Sequence, residues 1–216
     1  MKRAFKTTEA VFDLCYLTVA AMIGFTLLFS AAGNFSRMLA GVMVLILVGG
    51  DAFHLVPRII MIRTGKEDLL RRVLGRGKQL TSITMTVFYL FLWQIGVLLF
   101  SPENIALWSY TVYILAAIRI FLCLLPQNKW AEWHPPVIWG IWRNIPFFLL
   151  GTVVAGLYFL QSSAMPGLAL MWLAIALSFA FYLPVVLWVQ KNPKIGMFMI
   201  PKSGIYLWML LMCLSI

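Results

Sequence analysis

Seven stretches of this chain are long and apolar enough to cross a lipid bilayer, and no other feature constrains the fold as strongly. A crossing helix needs about 20 apolar residues. Segments 11–32, 38–62, 80–100, 104–126, 137–160, 165–190 and 195–216 meet that requirement. Hydrocarbon offers no hydrogen-bond partners, so a run of this length must satisfy its backbone internally, as a helix. The expected architecture is all-α: a polytopic membrane bundle of seven transmembrane helices, forming one integral membrane domain over residues 1–216.

Composition agrees with this. Of the 216 residues, 62% are hydrophobic and 11% charged, where a soluble domain carries about 25% charged residues. No stretch is polar enough for a separate soluble domain. The formal charge of +10 does not point to nucleic acid, because the basic residues flank apolar segments and form no interleaved patch. Lys2, Arg3 and Lys6 precede the first span; Arg63, Lys66, Arg71, Arg72, Arg76 and Lys78 fill the second connection; Lys129 lies in the fourth, and Lys191 and Lys194 in the sixth. The opposite connections offer Arg37, Ser101-Pro102-Glu103 and Gln161-Ser162-Ser163. This asymmetry places the N-terminus inside and the C-terminus outside a cell membrane of the bacterial cytoplasmic kind.

The start of the chain, Met1-Lys2-Arg3 before an apolar run ending at Ser30-Ala31-Ala32-Gly33, imitates a secretory signal. The run exceeds an h-region of about 7–15 residues and contains Asp13, which predicts a retained first helix. Cys15, Cys123 and Cys213 lie in apolar segments as small fillers, with neither disulfide nor metal spacing. Residues 66–74 allow two readings, a short amphipathic surface helix ended by Gly75 and Gly77 or a solvated basic loop. Trp130, Trp133, Trp139, Trp142 and Trp188 suit an aromatic belt at the inner interface.

Within the second span, Gly49-Gly50-Asp51-Ala52-Phe53-His54-Leu55-Val56-Pro57-Arg58 concentrates the polar chemistry. Asp51, His54 and Arg58 stand at i, i+3 and i+7, on one helical face. A charge at bilayer depth costs at least about 2.5–3.5 kcal/mol, so such residues normally face the bundle interior and find partners there. Pro57 cannot donate to the carbonyl of Phe53, which predicts a kink and a free acceptor beside His54. Gly49 and Gly50 predict close approach of a neighbouring helix.

Depth, counted along each span, brings further polar residues to the same inner half: Asp13, Arg119, Arg143, Lys202 and Tyr206, with Thr81, Ser82, Thr84, Thr86 and Tyr89 on the third span. A cup open to the cytoplasm follows, in which Arg58, Arg119, Arg143 and Lys202 outnumber Asp13 and Asp51. Unpaired buried cations are costly, so an anion is expected to complete the balance, and a phospholipid headgroup held by arginine forks is the natural partner. The competing expectation is that these cations snorkel to the interface. Asp51 and His54, one turn apart, are the candidate acid and base, and Arg58, Arg119, Arg143, Lys202 and Tyr206 the candidate ligand-binding residues. His54 and His134 are the only histidines, too few for a closed metal site. No cofactor signature occurs, so neither metal nor cofactor is expected.

Gly50-Asp51 followed by Leu55-Val56-Pro57-Arg58 at the inner end of a span, with five spans after it, resembles the lysoplasmalogenase family of multi-helix membrane enzymes. The resemblance implies hydrolysis of the vinyl ether of a lysoplasmalogen, using a Gly-Asp carboxylate and a second aspartate from a late helix. Only Gly50 and Asp51 carry over. Ser178-Phe179-Ala180-Phe181-Tyr182 contains no aspartate where the family places its second carboxylate, and one helix fewer leads the chain. Two readings stand: a lipid-handling hydrolase acting on an ether lysophospholipid, or a non-catalytic lipid or small-solute binding protein, sensor or transporter. The oligomeric state is not legible.

Overall fold

A computed structural model describes residues 2–65, 67–132 and 134–216, with the side chains of residues 2–7 and 67 set aside. The side chains of Lys2, Arg3 and Lys6, and all of Lys66 and Trp133, therefore lie outside the described residues. Seven α-helices follow in order: α1 (Lys2–Phe29), α2 (Phe35–Thr64), α3 (Glu67–Phe100), α4 (Ala106–Leu124), α5 (Val137–Leu160), α6 (Met171–Trp188) and α7 (Met199–Met212). Among the described residues, seven helical segments are long and apolar enough to cross a membrane. With only 14 residues, α7 reaches that length through the 3₁₀ turns Pro193–Phe198 and Cys213–Ser215 on either side.

Each helix packs on its neighbour in the chain; α7 returns to α1 to close the ring, and α3 crosses the middle to reach α5. The core is apolar and aromatic, built on Leu47, Phe88, Leu92, Trp93, Leu150 and Met171. Phe25, Leu107, Phe121, Leu149 and Leu160 project from the outside of the bundle. An outer surface with this many bulky apolar groups suits hydrocarbon, not water.

The second connection differs from its expected form. Residues 67–74 are the first turns of α3, with no separate surface helix, and Gly75 and Gly77 lie inside that helix. Both glycines serve close packing: a Cβ on Gly75 would sit 2.8 Å from Ala131 Cα, and one on Gly77 would sit 2.9 Å from His54 Cα. The Phe53 carbonyl, released by Pro57, lies against Gly77. Of the adjacent pair in α2, Gly50 abuts the Thr84 side chain whereas Gly49 faces open space, so only one of the two mediates a helix contact. Thr81 Oγ1 seals the α2–α3 seam by donating to the Gly50 carbonyl at 2.9 Å.

At the far end of the bundle, Arg37 Nη1 donates to the Leu214 carbonyl at 3.0 Å, and Asn34 Nδ2 to the carbonyl of Ile216 at 3.2 Å. The cation that departs from the charge asymmetry is thus used to satisfy orphan carbonyls at the end of α7.

Candidate functional site

The centre of the bundle holds a carboxylate and two cations with little access to solvent. Asp51 and Lys202 are each 7% exposed, and Arg119 is 2% exposed. Lys202 is buried among the helices, where a snorkelling side chain would leave its ammonium exposed. Tyr16, from α1, donates its hydroxyl to Asp51 Oδ2 at 2.9 Å. Lys202, from α7, supplies the opposing charge, but among the described residues the two form no contact ion pair. Its Nζ instead lies 4.8 Å from the ring centroid of Tyr182 and 4.9 Å from that of Tyr206. A second buried carboxylate, Asp13, stands one turn before Tyr16, and its Oδ2 has no hydrogen-bond partner.

Arg119 enters from α4. Its Cζ lies 3.3 Å from the centroid of the Phe147 ring, and Nη1 lies 3.4 Å from Asn144 Oδ1. The same amide oxygen accepts from the Tyr182 hydroxyl at 3.2 Å, while Asn144 Nδ2 donates to the Gly140 carbonyl at 2.7 Å. Arg119 Nε has no partner. The charge is therefore met by an aromatic face and a neutral carbonyl, with no carboxylate among the described residues. Between Arg119 and Lys202 runs a set of hydroxyls: Tyr89 Oη lies 3.4 Å from both Ser178 Oγ and Tyr206 Oη.

The remaining candidates sit apart from this centre. Arg58 pairs with Glu9 of α1. His54, about 60° round the helix from Asp51 at 100° per residue, turns toward α3, where the Leu74 carbonyl and Lys78 are its neighbours. Among the described residues no hydrogen bond joins His54 to Asp51, so the single face predicted for Asp51, His54 and Arg58 divides between two neighbouring helices. Arg143 donates to Asn128 Oδ1 at 2.9 Å, and its Cζ lies 4.2 Å from the Trp130 ring centroid. Asn128 in turn donates to the carbonyls of Leu122 and Leu125 at 2.6 and 2.9 Å. Trp130 Nε1 and Gln79 Nε2 both donate to the Cys123 carbonyl at 3.0 Å. Arg143 thus braces the C-terminal end of α4, whose last carbonyls need partners.

The expected open cup is a closed cluster. Asp51, Arg119, Lys202 and Tyr206 come together from α2, α4 and α7, whereas His54, Arg58 and Arg143 lie around them. The hydroxyls of Ser82, Thr84 and Thr86 bond to carbonyls of their own helix. The residues that complete the cluster, Tyr16, Asn144, Phe147, Ser178 and Tyr182, are uncharged and carried no signal of their own in an apolar, aromatic-rich sequence. Asp13 and Tyr16 at i, i+3 were the nearest thing to one.

No protein-family model matches the chain, and neither a curated protein nor a solved structure matches it. What the fold defines is a class: an all-α bundle with, among the described residues, seven helices capable of crossing a membrane and ionisable groups at its centre.

Proposed function

We propose that this is a multi-pass protein of a bacterial cytoplasmic membrane, N-terminus inside and C-terminus outside, that takes an anionic lipid headgroup into its central cluster. The observation that carries this reading is Arg119: a guanidinium 2% exposed, with Nε unpartnered and, among the described residues, no carboxylate paired with it. Burying a cation without a counter-anion costs several kcal/mol, which an aromatic face and one amide oxygen offset only in part, and a phosphate oxygen would satisfy both the charge and the vacant donor. Lys202 adds a second positive group. The helices must part for a headgroup to reach them, which makes binding and helix movement a single event. Native mass spectrometry of the protein released from mild detergent tests this. The wild type should retain an anionic phospholipid, and Arg119→Gln should lose it with Arg119→Lys intermediate; equal retention by all three would refute the reading.

The two aspartates favour a catalytic version of the same site. Asp51 and Asp13 lie on adjacent helices, within electrostatic range of one another, and the vacant Oδ2 of Asp13 is a free acceptor. In hydrolysis of an ether lysophospholipid, Asp51 as the carboxylic acid protonates the vinyl carbon. Water adds to the resulting oxocarbenium carbon and yields its proton to Asp13. The hemiacetal then collapses to an aldehyde and the glycerol alcohol, as Asp13 gives its proton to the leaving glycerol oxygen and Asp51 takes the hemiacetal hydroxyl proton, which restores both groups. Asp13 takes the role first assigned to His54, because His54 is turned toward α3. Loss of vinyl ether cleavage in Asp51→Asn is the expected result, and unchanged cleavage would leave only the binding function.

A further inference from the structure

A cavity of about 330 Å³ opens between α3, α4 and α5 at the end of the bundle away from the basic connections. That volume is within the range of about 300–1,000 Å³ typical of small-molecule sites. Its walls include Trp93, Trp108 and Glu103, and Gly156 stands on its α5 side. A Cβ placed on Gly156 would meet nothing within 4 Å, so the glycine widens the space and packs against no neighbour. Trp93 Nε1 is already engaged by Ser109 Oγ at 3.3 Å, and Thr152 Oγ1 by the Phe148 carbonyl at 2.9 Å. Glu103 forms no ion pair among the described residues. Two indoles and one carboxylate around a mostly apolar space, with Thr152 and Gln161 as the other polar side chains on its walls, favour a cation. A primary ammonium brings three N–H donors that must all be stripped of water and paired again on entry, against the few acceptors of Glu103, Gln161 and Thr152. A quaternary ammonium has none to satisfy.

We propose that this cavity binds a quaternary ammonium group attached to an apolar body, recognised by Trp93, Trp108 and Glu103. Such a group belongs to a choline headgroup or to a free organic cation. Isothermal titration of the full chain in maltoside micelles with benzyltrimethylammonium, benzylammonium and benzyl alcohol tests it. The quaternary ion should bind saturably at one site and the other two about ten-fold more weakly. Glu103→Gln and Trp108→Ala should each weaken the quaternary ion about five-fold. Gly156→Leu, which fills the space, should abolish binding without lowering the thermal midpoint. Equal binding of the three compounds, or an affinity indifferent to Glu103→Gln and Gly156→Leu, would overturn the proposal. Repeating the titration in nanodiscs distinguishes the source: weaker binding in phosphatidylcholine than in phosphatidylglycerol identifies the lipid headgroup as the natural occupant, and equal binding identifies a free cation.

Discussion

Tyr16 is the one hydrogen-bond donor that the described side chains bring to Asp51, and their bond is buried. Removing a partner from a buried polar group costs about 1–3 kcal/mol. Tyr16→Phe should therefore lower the thermal midpoint in detergent, and the same change should cost much less in an Asp51→Asn background, where an amide replaces the carboxylate. Equal losses in the two backgrounds would mean that Tyr16 acts through ring packing alone. At this scale the charged residues were legible, because Asp51, Arg119 and Lys202 interrupt apolar runs and each has to be accounted for by burial or escape. Their partners were not. Asn144 and Tyr182 receive meaning only when α4, α5 and α6 place them within reach of one guanidinium.

Helix contacts rest on particular glycines, and adjacent ones differ. Gly50 abuts Thr84 of α3, whereas Gly49 next to it faces open space. Gly50→Ala should force the α2–α3 seam apart at a cost of about 1–3 kcal/mol, while Gly49→Ala should be neutral or mildly stabilising through helix propensity. Thermal unfolding of the two variants side by side decides this, and similar midpoints would show that α2 and α3 pack more loosely than described. A glycine pair announces that a helix comes close; rotation about the helix axis decides which of the two it touches. The same reasoning explains Gly75 and Gly77. Read along the chain they look like a helix stop, yet they allow the Trp130–Ala131 and Phe53–His54 backbones to approach a continuous α3.

Across the whole molecule, the basic connections lie at one end of the bundle, and Arg37 at the other is committed to the end of α7. With Cys15 replaced by Ala, a membrane-impermeant thiol reagent should label Ser163→Cys but not Lys191→Cys in intact cells; the reverse pattern would invert the proposed orientation and put the central cluster within reach of the opposite leaflet. By itself the sequence determined the all-α bundle and its seven apolar helices, because hydropathy over about 20 residues is a local property. It also determined which charges demand an explanation. Only the tertiary structure decided that Asp51, Lys202 and Arg119 gather in a closed centre while His54, Arg58 and Arg143 stand around it. A side chain's neighbours depend on the rotation and tilt of each helix against the others, and those are set by packing between distant segments.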